Sequence, residues 1–274
     1  MTKTKDFQHL YFNQYESADK LLARWNLYKY SVPKIDIYET GIDHLKLTGS
    51  ENIFEVGCGE GNVLLNLRRH GHFGKLVGLE INENMFRDAI KVQETEKLSP
   101  IDFIVGSADK LPFPDKSFDV VLAFFMLYHM PNVEKTLLEW RRILKDDGKI
   151  LIATASSGNK PKHKSFKKII EKFIGETSPP QFSHFFSLEN GEEQLKNVFN
   201  VTDKFVYKGE IKLSESSPYL KALDSVKDMF DPTPSVEKWK EARSIVEQKV
   251  EREIEKEGYF TDDVERGFFI CEKI

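Results

Sequence analysis

Cysteine is nearly absent from this 274-residue chain: Cys58 and Cys271 are the only two, and they lie far apart. That excludes a disulfide framework and a four-cysteine zinc module. No apolar run approaches the length of a membrane span, and the first residues, Met1 to Phe7, lack the apolar core of a signal peptide. A cytoplasmic location is therefore expected. Excess positive charge is also missing: 40 Lys+Arg stand against 44 Asp+Glu, for a net charge of −4. A nucleic-acid enzyme usually presents a basic face to phosphates, so this balance places nucleic acid second to small molecules as a partner. What remains, 40% hydrophobic and 31% charged residues, is the composition of a globular protein. The length suffices for one enlarged domain or for a core with a cap.

The informative stretch is Ile53-Phe54-Glu55-Val56-Gly57-Cys58-Gly59-Glu60-Gly61. A short apolar run ends in a carboxylate, and three glycines then occupy alternate positions. The run suits a buried parallel strand, and the glycines suit a tight turn that brings the backbone close to a ligand. From Asn62 to Arg69 the spacing becomes helical, with basic residues in the last turn. The dinucleotide fingerprint G-x-G-x-x-G is not met. A negative Glu55 just ahead of the loop opposes a pyrophosphate and suits a cationic amine. Taken alone, the loop is equally a plain strand-to-helix turn.

Further strands follow in order. Lys75 to Ile81 is apolar and contains Glu80, nineteen residues after Gly61, where a carboxylate can accept hydrogen bonds from ribose hydroxyls. Asn82 to Met85 opens a helix. Ile101 to Val105 is a third strand, leading into Gly106-Ser107-Ala108-Asp109-Lys110-Leu111-Pro112. Ser117 to Ala123 forms a fourth, leaving through Phe124-Phe125-Met126-Leu127-Tyr128-His129. A helix over 132–145 closes at an Asp146-Asp147-Gly148 turn before the strand Gly148 to Ala155. Alternating strands and helices predict an α/β doubly wound sheet with ligands beyond the carboxyl ends of its strands. A helix over 188–199, an extended run over 201–213 and a terminal strand over 267–274 complete seven strands, the last expected antiparallel.

These four motifs, in this order, resemble class I S-adenosylmethionine-dependent methyltransferases, in particular the ubiquinone and small-molecule branch. The resemblance implies a Rossmann-like seven-stranded core and S-adenosyl-L-methionine as cofactor, with S-adenosyl-L-homocysteine as product. By that likeness Glu55, Gly57, Cys58 and Gly59 lie beside the amino-acid part of the cofactor. Glu80 and Ile81 then meet the ribose, Met85 lies beside the adenine, Asp109 meets its amino group, and the Ala108 backbone meets its ring nitrogen. Ser107 and Phe124 line the same pocket. The implied reaction is in-line methyl transfer to O, N or C of a small acceptor such as a metabolite, quinone-like ring, sugar or antibiotic. Such transfer needs positioning first, and a base only where the nucleophile must lose a proton. His129 and Tyr128 are the best-placed catalytic candidates, with turn capping and wall packing as their structural alternatives. His184 is a second candidate base, equally readable as a packed histidine. No metal site is expected.

Outside the core, residues 1–46 read as an N-terminal helical cap. It has a capped amphipathic helix from Ser17 to Trp25 and a second helix starting at Pro33. By the resemblance Tyr30 approaches the cofactor's carboxylate end and Arg24 faces the pocket or pins the cap. The cofactor-binding core spans 47–213, an insertion 214–262, and the terminal core strand 263–274. The insertion holds a long helix with Thr233 as N-cap, Pro234 at its first position and Gly258 as terminator. Val236, Trp239, Ala242, Val246, Val250 and Ile254 make one apolar face, fit for a lid or for a dimer contact. Monomer and homodimer both remain open. With eight basic and twelve acidic residues, the insertion is a poor surface for RNA. The basic run Lys160 to Lys168 is the exception, readable as a solvated loop entering a helix or as an anion site. Two other functions stay in view: an RNA base methyltransferase and a non-catalytic S-adenosylmethionine-binding interaction module. The N-P-P-Y/F motif of enzymes acting on exocyclic amines is absent after the fourth strand, which leaves an apolar segment there.

Overall fold

The computed structural model describes residues 18–174, 185–230 and 233–274. The chain divides into two compact units. One takes the described residues of Asp36–Ser157, Phe182–Tyr207 and Arg266–Ile274; the other takes those of Met1–Ile35, Gly158–Gln181 and Lys208–Glu265.

In the first unit, β2 (Ile53–Val56), β3 (Leu76–Glu80), β4 (Asp102–Val105), β5 (Phe118–Phe124) and β6 (Leu144–Ala155) are parallel. β8 (Phe260–Lys273) pairs antiparallel with β6, which bears out the sequence expectation, and β7 (Phe199–Leu213) lies beyond β8. The order β7-β8-β6-β5-β2-β3-β4 reverses between β2 and β5. The crevice beyond the carboxyl ends of these two strands is thus the topological switch point where ligands bind in open α/β sheets. Continuous apolar runs form these strands because helices cover both faces. Phe54, Val121 and Ile152 are fully buried, packed in one core with Leu137 and Trp140 of α5 (Val133–Ile143).

Three helices begin where a side chain takes free N–H groups: those capped by Asp36, Asn132 and Ser235. α2 (Ile37–Leu45) starts at Asp36, whose carboxylate accepts from Tyr38 N–H at 2.9 Å and Glu39 N–H at 3.1 Å. This corrects the expected start at Pro33. Ser31–Val32 forms instead a two-residue strand, β1, antiparallel to β7, so the sheet has eight strands. α3 (Asn62–Arg69) follows the glycine loop directly. Asn82 caps a 3-10 turn over Glu83–Met85, and α4 (Arg87–Thr95) comes after it.

The expected Asp146-Asp147-Gly148 turn is a second correction. These residues lie within β6, opposite a register shift between Phe118 and Val120. Lys145 reaching Asp119 at 2.7 Å holds that irregularity, so the chain bulges without turning. The late helix is also shorter than expected: α7 covers only Gly191–Lys196, because Phe199 is taken into β7.

In the second unit, α1 (Ala18–Asn26) is amphipathic and runs into a 3-10 turn, Leu27–Tyr30. The cap expected at Ser17 lies outside the described residues. The lysine run opens α6 (Pro161–Ile174), and α8 (Ser217–Asp224) and α9 (Val236–Glu257) follow. α9 is capped by Ser235, whose hydroxyl accepts from Lys238 N–H at 3.3 Å; this replaces the expected Thr233. Gly258 ends it at φ +80°. Trp239, Ala242, Val246 and Val250 of its apolar stripe are buried, and α9 packs on α6 and α8 within this unit. Among the described residues no helix is long and apolar enough to cross a membrane.

Candidate cofactor and acceptor site

The glycine loop lies at the switch point. Gly57, Gly59 and Gly61 adopt φ of +67°, +52° and +68°, a left-handed backbone that side chains rarely take. The three positions differ in why glycine is needed. A Cβ on Gly57 would sit 3.0 Å from Met126 Cβ, and one on Gly61 would sit 2.8 Å from the Phe103 ring. At Gly59 the nearest atom would be Met85 Cε at 4.0 Å, so nothing among the described residues fills the space. That is the position where a ligand can come against the backbone.

Glu80 ties the loop to β3. Its Oε2 accepts from Gly59 N–H at 3.1 Å, and its Oε1 accepts from Ile81 N–H at 2.8 Å. Burial raises its carboxyl from the ordinary value, opposed by the same N–H bonds. Glu55 sits one strand over, 3% exposed, with no hydrogen-bond partner for its Oε2 among the described residues. Burial, reinforced by Glu80, pushes its carboxyl well up. Cys58 is buried and its thiol is pushed up for the same reasons, so it is an inert packing group beside Gly78.

Met85 is buried below the loop, while Ile81 is 43% exposed. Beyond β4, Ser107 Oγ donates to Asp109 Oδ1 at 2.6 Å, and Lys135 Nζ reaches Asp109 Oδ2 at 3.0 Å. These bonds hold the Asp109 carboxyl below its usual range. The Ala108 carbonyl accepts from the indole N–H of buried Trp140 at 2.9 Å. This anchor was not legible in the sequence, because it joins residues 32 apart that share no local pattern.

Phe124 ends β5 buried, and Phe125 then turns the chain at φ +54°, a strained conformation for an aromatic residue. The turn lays Met126 against Gly57 and sends Leu127 into the core. The Tyr38 ring lies 4.8 Å from Phe124 at a tilt of 39° and edge-on at 5.8 Å to Phe125. Tyr128 and His129 follow on a 3-10 turn with ring centroids 4.4 Å apart. Burial lowers the His129 pKa to about 3, which leaves the imidazole neutral at physiological pH. Glu55, Gly57, Cys58, Gly59, Glu80, Ile81, Met85, Ser107, Ala108, Asp109, Phe124, Tyr128 and His129 all belong to the first unit. Tyr30, 41% exposed, and Arg24 belong to the second. His184 lies outside the described residues.

Comparison with known proteins shows the family to which this domain is similar. Residues 54–152 match the methyltransferase domain family. The chain carries a class I, S-adenosylmethionine-dependent methyltransferase domain. A demethylmenaquinone methyltransferase of Oceanobacillus iheyensis is 23% identical over 209 residues, which cover 72% of this chain and 86% of that protein. A demethylmenaquinone methyltransferase of Staphylococcus epidermidis is 32% identical over 158 residues, covering 57% and 63%. For several of these relatives the match thus spans less than two thirds of their length. Among solved structures, the MccD protein superposes with a TM-score of 0.59 at 18% identity, covering 89% of this chain and 99% of that one. Phospholethanolamine N-methyltransferase 2 of Haemonchus contortus, solved with S-adenosylhomocysteine, gives 0.53 at 20% identity, covering 86% and 52%. At these identities the two structures speak for the fold alone. S-adenosylmethionine is the cofactor of the methyltransferase domain, and the residues of the loop fit it. Gly59 leaves room for a ligand, and the partnerless Glu55 oxygen suits a cation better than a phosphate.

Proposed function

We propose that this protein transfers a methyl group from S-adenosylmethionine to O, N or C of a small-molecule acceptor in the cytoplasm. The observation that carries the reading is the pair Glu55 and Glu80 set around a glycine loop with an open face at Gly59. When bound, the cofactor supplies an activated methyl group on a sulfonium.

In this reading Glu80 keeps the loop backbone in place and accepts from the ribose hydroxyls. Glu55 provides negative potential beside the amino-acid end. The fixed Ser107–Asp109 turn offers the adenine its polar edge. Phe125, Met126 and Tyr128, each only partly buried, give the acceptor an apolar surround that limits water. His129 takes part as a neutral imidazole that holds a proton weakly at neutral pH. The arrangement therefore favours an acceptor that attacks without first giving its proton to the protein. Positioning contributes most of the rate in such a site.

The lysine run supports a small acceptor over RNA. Lys160 lies over the Tyr28 ring at 5.2 Å, Lys162 pairs with Glu253, and Lys167 is partly buried with a lowered pKa. Those groups face protein partners, not a continuous basic surface. Calorimetry with S-adenosylmethionine and S-adenosylhomocysteine tests the reading: micromolar binding of both is expected, and binding of neither overturns it. Incubating metabolite pools with methyl-labelled cofactor then identifies the acceptor.

A further inference from the structure

Phe125 keeps a costly backbone where β5 hands the chain over to the candidate site. Its φ of +54° lies in the left-handed region, which residues with a bulky side chain rarely populate. Strain of this kind persists only where the surroundings hold it, and it gathers at functional sites. Phe125 N–H donates to Ala153 O at 3.0 Å, so the residue is still bonded on the β6 side of β5. The left-handed turn then sends the chain to the opposite side, where β2 lies, and brings Met126 over Gly57. The Met126 carbonyl accepts from His129 N–H at 2.9 Å, which starts the 3-10 turn carrying Tyr128 and His129. The glycine loop is bonded on its β3 side: Gly57 N–H and Cys58 N–H donate to Leu79 O at 2.7 and 3.0 Å, and Gly59 N–H donates to Glu80. On its β5 side it meets Met126 by packing, so closely that a Cβ on Gly57 would fall 3.0 Å from Met126 Cβ. One strained residue thus places both the wall of the loop and the turn that bears the candidate catalytic side chains.

The side chain that meets Phe125 comes from α2. Asp36 caps this helix and accepts from Tyr38 N–H at 2.9 Å, which fixes Tyr38 in the first turn. Gly41 is three residues on and so lies on the same face. It lets the helix settle closely: a Cβ there would sit 3.0 Å from Leu151 Cδ1 and 3.6 Å from Phe124 Cε1. The Tyr38 ring then lies 4.8 Å from Phe124 and edge-on at 5.8 Å to Phe125, both within the range where aromatic pairs attract. All of these residues belong to the first unit. Resting on the proposed cofactor reading, we propose that Tyr38 is a positioning residue for methyl transfer. Its ring keeps Phe125 in the left-handed turn and thereby keeps Met126 on Gly57, so the glycine loop has its ligand-binding shape before the ligand arrives. Such preorganisation adds affinity because less has to be ordered on binding. The ring acts through Phe125, and no contact with cofactor or acceptor is assigned to it.

The experiment is a double-mutant cycle on the full chain, read by calorimetric affinity for S-adenosylhomocysteine and by thermal unfolding of the same preparations. Tyr38→Ala removes both ring contacts and should bind about tenfold more weakly. Tyr38→Phe keeps both contacts and should stay within about twofold of the wild type. Glycine takes a positive φ at no steric cost, so Phe125→Gly removes the need for the Tyr38 ring. In that background Tyr38→Ala should bring no further loss of affinity, although it still lowers the unfolding temperature through lost packing on Phe124. Wild-type affinity in Tyr38→Ala with a lowered unfolding temperature would mean that Tyr38 serves stability alone, and overturns the proposal. So does a loss in Tyr38→Phe equal to that in Tyr38→Ala, or a loss that persists undiminished in Phe125→Gly. Should Tyr38→Ala fail to fold, Tyr38→Leu takes its place in the cycle with the same expected pattern. Failure of S-adenosylhomocysteine to bind the wild-type protein overturns instead the cofactor reading on which the proposal rests.

Discussion

Alanine at Gly59 and alanine at Gly61 make the same chemical change two residues apart, and the structure gives them opposite consequences. At both positions φ is positive, +52° and +68°. Holding alanine in that region costs about 1–2 kcal/mol. Roughly 0.4–1 kcal/mol returns because the unfolded chain also loses freedom. For Gly59→Ala little else is added, since the new Cβ meets nothing closer than 4.0 Å. The net loss is about 1 kcal/mol, or a Tm lower by roughly 2–4 °C in a chain of this size. For Gly61→Ala the Cβ falls 2.8 Å from two Phe103 ring atoms and 3.1 Å from Ala89 Cβ. Overpacking of that kind adds about 1–3 kcal/mol. The cofactor responds in the other order. A methyl on the open face of Gly59 stands where the ligand must lie, and a hundredfold loss of S-adenosylhomocysteine affinity, about 2.7 kcal/mol, is expected. Thermal unfolding of the free protein and calorimetry of the same preparations measure both quantities. Wild-type affinity in Gly59→Ala would refute the placement of the ligand. A stability loss matching that of Gly61→Ala would show that Gly59 serves the fold alone.

Other consequences are simpler. Glu80→Ala removes a carboxylate that accepts from the loop and, in the proposed function, from the ribose; binding of cofactor and product should weaken by about 1–3 kcal/mol, measured by calorimetry. Trp140→Phe keeps the ring but leaves the buried Ala108 carbonyl without its 2.9 Å donor. A loss of about 1–3 kcal/mol in denaturant unfolding is expected, and an unchanged midpoint would show that the anchor is replaced. His129 and His163 both have pKa values lowered to about 3, by burial first in each case, with nearby lysines and Arg24 adding to the effect at His163. Lowered bases make the folded state bind fewer protons than the unfolded one below pH 6.5. Stability should therefore decline as pH falls from 6.5 towards 3, by at most roughly 1.4 kcal/mol per unit for each ring. His129→Gln should flatten part of that slope in urea titrations, and an unaltered slope would mean that His129 is free to protonate in the fold.

Much of the first unit was legible in local pattern. Strand-length apolar runs, two of them with an acid at or beside their ends, placed β2 to β5 and the helix α3 to within a residue or two, because burial on both faces of a parallel sheet leaves its mark along the chain. The boundaries that failed did so for lack of a local cause. Pro33 and Thr233 are good helix starters, but Asp36 and Ser235 supply the acceptors that the first N–H groups reach. The Asp146-Asp147-Gly148 segment has turn composition, but it bulges within β6 between Leu144 and Lys149, which pair with Phe118 and Val120 of β5.

The sequence by itself determined where the loop lies and what it permits: glycines at alternate positions after a carboxylate allow a left-handed backbone that other residues resist. Tertiary structure alone decided how that loop is held. Glu80 reaches Gly59 from the next strand, Met126 packs on Gly57 through a strained Phe125, and β1 finds β7 across about 180 residues. A two-residue strand or a single αL aromatic residue carries no periodicity to read. Its energy comes from partners distant in the chain, and only the folded chain brings them together.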